Sequence, residues 1–167
     1  MPATYEPIAS VTLSSSASSV TLGSGGTIPQ TYTDLVLVHT PIPVTADDRG
    51  ISTQFNGDTG SNYSETELYG LGSSAGSQRL SSSTSIRTSR AIGFLGTYVG
   101  ITHFMSYANT NVFKTVLHTG ANAGAGVTRT VGLWRSTSAI TSITLTSGSP
   151  NSFATGSTFS LYGIKAA

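Results

Sequence analysis

The stretch GVTRTVGLWRS, residues 126–136, changes character at every step. Successive side chains of an extended chain point to opposite faces. Val127, Arg129, Val131 and Leu133 therefore share one face, and Thr128, Thr130, Gly132 and Trp134 share the other. A helix would need apolar residues at i, i+3, i+4 and i+7 with helix formers between them, and this stretch has neither. The same alternation recurs along the chain. TDLVLVHT (33–40) sets Leu35, Leu37 and His39 against Val36 and Val38, and with both faces mostly apolar it reads as a central strand. NVFKTVLHT (111–119), ITSITLTS (140–147) and TFSLYGI (158–164) alternate in the same way.

Turn-forming clusters separate these runs: GSGG at 23–26, PIPVTADDRG at 41–50, NGDTGSN at 56–62, GLGSSAGS at 70–77, YANTN at 107–111, GANAGAG at 120–126 and SGSPNS at 147–152. Short strands at regular spacing with no helical segment between them predict an all-β sandwich, jelly-roll-like, of about eight to ten strands. The expected organisation is one sandwich domain over residues 11–167, preceded by an extended N-terminal arm over residues 1–10. Pro2 and Pro7 keep that arm extended. Tyr5 and Ile8 are its apolar side chains, expected to anchor it on another subunit or on the sandwich edge.

Composition narrows the function classes. Charged residues are 9% of the 167, net charge is +1, and Ser and Thr make up about a third of the chain. Cysteine is absent, which excludes disulfides and thiolate metal sites. A near-neutral chain has no electrostatic footprint for nucleic acid or for an anionic membrane. No apolar run reaches the roughly 20 residues of a membrane helix. MPATYEPIAS lacks the basic and apolar regions of a signal peptide, so ordinary secretion is not expected. Weak mutual repulsion suits a subunit of an assembly better than a free enzyme.

The candidate chemistry is thin. His39, His103 and His118 are the imidazoles, and His39 and His118 sit in apolar alternating runs that favour structural roles. No GxSxG elbow presents a serine. Glu65 and Glu67 point the same way along a strand and are expected on a solvated face. FNGDTGSNYS (55–64) raises a calcium question. Read from Asn56 as an EF-hand loop, it puts Gly60 where a ligand belongs and Ser61 where glycine belongs. A looser ion site on Asp58 and Asn62 is the residual metal reading. The preferred one is a loop turned by Asn56-Gly57, with Asp58 and Asn62 capping its backbone. Trp134 and Arg135 are the candidate surface-binding pair, a sugar platform on one reading and core or interface on another. No cofactor is expected.

PATYEPIAS, IPQTYTDLVLV (28–38), FNGDTGSNYS, GLWRSTSAITSITL (132–145) and STFSLYGIKAA (157–167) resemble, in this order, a family of virion structural proteins of tailed bacteriophages. The resemblance implies a non-enzymatic role, as a capsid decoration (cement) protein on the outside of the head or as a tail-associated, glycan- or receptor-binding module. It implies the major capsid protein as partner, along with other virion or tail proteins, and a location in the virion. Local threefold positions on a capsid suggest a homotrimer. No nucleic acid, membrane or catalytic residue comes with it.

Overall fold

The structure, a computed structural model, describes residues 4–45, 50–89, 98–148 and 151–165. Residues 1–3 of the expected arm, 46–49 with Asp47 and Asp48, and 149–150 of the last turn cluster lie outside these. The described residues form strands, turns and loops, with no helix among them. The strands are β1 (Tyr5–Thr12), β2 (Ser19–Leu22), β3 (Asp34–Thr40), β4 (Ile51–Phe55), β5 (Tyr63–Leu71), β6 (Ser74–Ser83), β7 (Ile86–Ser89), β8 (Val99–Met105), β9 (Lys114–Asn122), β10 (Gly126–Trp134), β11 (Ile143–Ser147) and β12 (Thr158–Ile164).

They build a β-sandwich of two unequal antiparallel sheets. The large sheet runs β1-β12-β3-β8-β9-β10-β5-β6, and the small one β2-β11-β4-β7. Local hairpins give β8-β9-β10 and β5-β6. The late strands return to early neighbours, β12 between β1 and β3, β11 between β2 and β4. The N-terminal segment docks on the sandwich's own edge: β1 pairs with β12 from Tyr5↔Ile164 to Thr12↔Thr158. Pro7 stands beside a register shift in β1, an edge strand, where a missing N–H is tolerated. Glu6 Oε1 accepts from Lys165 Nζ at 2.7 Å, and its Oε2 accepts from the Tyr32 hydroxyl at 3.1 Å.

The core lies between the sheets and has two ends. At one, Phe55 of β4 packs edge-on to Phe104 of β8 at 5.6 Å between centroids and 5.4 Å from Trp134 of β10. Tyr63, Ile86, Ile143 and Leu145 are buried in the same cluster. Each fully buried apolar side chain of this size contributes roughly 1.5–3 kcal/mol. The other end is polar. His39, Thr102, His118, Thr128 and Thr130 are buried on the inner face of the large sheet.

One row across that sheet reads His39↔Gly100↔Gly120↔Thr128. The two glycines make room. A Cβ on Gly100 would overlap the His39 ring, and one on Gly120 would overlap the Tyr98 hydroxyl. Only part of the turn cluster GANAGAG is therefore turn. Gly120 and Gly126 are strand residues, and the turn itself is short. It closes by Ala125 N–H donating to Asn122 O at 3.0 Å and Gly124 N–H to Asn122 Oδ1 at 2.9 Å. The expected effect of Gly120→Ala is a loss of about 1–3 kcal/mol through overpacking. Gly124→Ala, whose Cβ would meet nothing nearer than 3.5 Å, should stay within about 0.5 kcal/mol of the parent. Urea unfolding of the two variants measures the contrast.

Candidate interaction surface

The FNGDTGSNYS segment links β4 of the small sheet to β5 of the large one, so it is a crossover and not a hairpin. Asn56 and Gly57 both take positive φ, 53° and 69°, as the Asn-Gly pair suggests. The Asn56 side chain staples a second loop: its Oδ1 accepts from Thr141 N at 2.8 Å and Ser142 N at 3.1 Å, and its Nδ2 donates to Ala139 O at 2.7 Å. Asp58 Oδ1 accepts from Gly60 N at 2.8 Å, and Asp58 Oδ2 accepts from Asn62 Nδ2 at 3.0 Å and Trp134 Nε1 at 2.7 Å. The indole bond, then Asn62 and Gly60, hold the carboxyl below its ordinary range against the opposing effect of burial. This geometry is that of the capping reading of Asp58 and Asn62. N–H groups already point their positive ends at both oxygens, where a cation would have to sit. Among the described residues no three His, Asp or Glu side chains converge on a metal-sized space.

Trp134 is 2% exposed and lies stacked on Tyr63 at 6.3 Å. It cannot be a sugar platform, because a platform needs a bare ring face. Arg135 turns back on its own chain, donating through Nη2 to Ser61 O at 2.8 Å and to Tyr63 O at 3.3 Å. Both members of the expected surface pair are thus fastenings of the crossover loop. Tyr5 and Ile8 separate: Tyr5 is 51% exposed on the edge strand, and Ile8 packs against the sandwich's own core.

Glu65 and Glu67 do share a face, as strand spacing requires, but it is the inner one. Both are buried, so the solvated-face expectation is corrected. Glu65 Oε2 accepts from the Arg87 backbone N–H, and Arg87 Nε lies 3.9 Å from Glu65 Oε1. His118 Nε2 pairs with the Tyr98 hydroxyl and its Nδ1 with Thr102 Oγ1, both at 2.8 Å. Its ring lies 5.8 Å from that of His39. Burial pulls His39 down to about 4, and burial followed by the charges of His39 and Arg129 pushes His118 well below the usual imidazole range. Neither histidine is solvent-accessible, so no substrate reaches them in this conformation.

Lys114, which the alternation placed beside Val116 and His118, carries a role the sequence did not show. Its buried ammonium donates to Asn109 O at 2.5 Å, Val112 O at 2.8 Å and Thr137 O at 3.1 Å, tying two loops together as a bound cation would.

Among the described residues, the outer face of the large sheet gathers the most exposed apolar side chains. On β10 the residues that face away from the core are Val127, Arg129, Val131 and Leu133, while Thr128 and Thr130 are buried. On β8, Val99, Ile101 and Met105 face out. Registers join them across β9 and β5: Ile101↔Thr119↔Arg129↔Leu68 and His103↔Leu117↔Val131↔Thr66. Leu68 is 59% and Val127 57% exposed. The result is a broad apolar plate. The outer face of the small sheet is its opposite, with Thr21, Thr144, Thr146, Ser52 and Gln54 exposed or half-buried and the Thr21 and Thr144 hydroxyls paired at 3.0 Å.

Two outcomes check the buried groups. Asp58→Ala leaves the buried indole N–H without its acceptor and should cost about 1–3 kcal/mol. The melting temperature of the parent should be the same in calcium and in EDTA. Acid sensitivity is the second. An unfolded histidine binds a proton near pH 6.5, whereas folded His39 resists until about 4. Protons therefore favour the unfolded chain, and stability that is complete above pH 6.5 drains as pH falls towards 4. His39 alone accounts for about 3 kcal/mol over that window. The unfolding free energy of the parent, from urea titrations between pH 8 and 4.5, should fall relative to that of His39→Leu by about 2–3 kcal/mol as the pH drops.

No family model, curated protein or solved structure matches this chain.

Proposed function

We propose that this chain is a non-enzymatic structural protein of a tailed-phage virion, a capsid decoration protein on the outside of the head that stabilises neighbouring capsid subunits. The observation that carries the reading is the apolar outer face of the large sheet, on a chain that buries Glu65, Glu67, His39 and His118 inside the fold. A monomeric protein seldom exposes so wide an apolar surface, and such surfaces mark a subunit that is covered in an assembly, by further copies of itself or by other chains. Low charge adds support, since little repulsion has to be overcome when copies crowd on a shell. The resemblance of PATYEPIAS, IPQTYTDLVLV and STFSLYGIKAA to virion structural proteins points the same way.

The mechanism is linkage. A subunit that binds the assembled shell and not its separated parts stabilises the shell by mass action, by about 2.7 kcal/mol per site at a hundredfold excess over its dissociation constant. The tail-module alternative rests on the Ser/Thr/Gly-rich loops and on Trp134 as a sugar platform, and of these the Trp134 ring is buried. Cryo-electron microscopy of virions provides the test. The expected density lies on the capsid exterior, and heads stripped of this chain should lose their contents at a lower temperature. Density confined to the tail overturns the proposal.

A further inference from the structure

We propose that the outer face of the large sheet is a two-fold interface between two copies of this chain. The inference goes beyond the virion reading and stands without it. It assigns the apolar plate to self-association and leaves the sandwich edges and loops for other partners.

Area is the first argument. The apolar residues of the plate lie on four strands, β8, β9, β10 and β5, at a spacing of about 4.8 Å and over about seven residues at roughly 3.4 Å each, which gives on the order of 450 Å². A stable interface of standard size buries about 800 Å² per partner. A face of about half that size suits a weak, reversible dimer, and sheets stack face to face at about 10 Å when both inner surfaces are apolar.

Charge is the second. Arg129 is the formal charge within the central strands of the plate, and its Nη1 lies along the sheet, donating to Thr119 Oγ1 at 2.6 Å. A two-fold axis lying in the interface along the Leu117–Val131 row would set the two guanidiniums roughly 14 Å apart along the sheet, so that neither faces the other directly. The net charge of +1 gives two copies little long-range repulsion.

Symmetry is the third. A head-to-tail ring, such as the homotrimer expected from capsid geometry, needs a second surface complementary to the first. The other broad face among the described residues is the hydroxyl-covered outside of the small sheet, which suits water. A single apolar plate is satisfied by a copy of itself.

Sedimentation of the purified full chain from low to high micromolar concentration tests this. The expected species has twice the 17.1 kDa chain mass. Val131→Asp and Ile101→Asp each place an unpaired carboxylate in the interface and should raise the dimer dissociation constant by about a hundredfold or more. Thr144→Asp, on the small sheet, should leave it unchanged. Since the chain has no cysteine, Val131→Cys with a short bis-maleimide should give a cross-linked dimer, and Thr144→Cys should not. The cysteine pair decides the matter if either aspartate variant fails to fold by circular dichroism. A monomer throughout, a trimer, or a dimer indifferent to both aspartates overturns the proposal. Each of those results leaves the position in the particle to imaging, so the two proposals fail separately.

Discussion

The bond from the Trp134 indole to Asp58 joins the two sheets at the point where the chain passes between them. Asp58 follows β4 of the small sheet, and Trp134 ends β10 of the large one. The Tyr63 hydroxyl closes the same knot, donating to Asp58 O at 3.0 Å and accepting from Phe55 N at 3.1 Å. Fixing this corner sets Phe55 between Phe104 and Trp134, and that aromatic contact sets the spacing of the sheets over the apolar end of the core. A carboxylate accepting charged-assisted hydrogen bonds is stronger than a neutral acceptor. The loop that looked most like an ion site thus does the work of an ion with its own N–H donors, as Lys114 does on the other side of the crossover with three carbonyls.

Strand existence was legible because period-two alternation survives any tertiary arrangement. TDLVLVHT, GVTRTVGLWRS and TFSLYGI contain β3, β10 and β12, NVFKTVLHT contains the first six residues of β9, and the positive φ of Asn56-Gly57 followed from residue type alone. Which strands are neighbours was not legible, because the returns of β11 and β12 depend on contacts more than a hundred residues apart in sequence. Glycine misled for a related reason. Gly120 and Gly126 resemble loop residues, yet they are small because Tyr98 and the Gly70 carbonyl approach the strand there. A close approach from a distant segment leaves no local mark.

Which face of a strand points inward was also hidden, and here the difficulty is informative. Alternation on β10 separates a Val/Leu face from a Thr/Thr/Gly/Trp face. Hydrophobicity alone favours burying the former against the core. The structure buries the latter, because Trp134 must reach Asp58 and Tyr63, and strand geometry then carries Thr128 and Thr130 inward with it. A one-residue slip would reverse every side chain at once. The apolar set left outside is the cost of that choice in a lone subunit and the driving force for association in an assembled one. Glu65 and Glu67 follow the same logic: β5 pairs with β10 through Thr130↔Glu67, so the acids share the inward face with the threonines.

The polar end of the core explains why such a subunit gains from being covered. His39, both of whose ring nitrogens find no partner among the described residues, is buried as a neutral ring, together with the threonine hydroxyls beside it. Unmet buried polar groups cost about 1–3 kcal/mol each, a large fraction of the 5–15 kcal/mol that a domain holds in total. A fold with that burden inside and an apolar plate outside has its two deficits on opposite sides of the same strands. Covering the plate by association adds stability through β8, β9 and β10, which are the strands that carry His118, Thr102 and Thr128. A second copy laid on the plate would therefore act on the internal packing through those three shared strands.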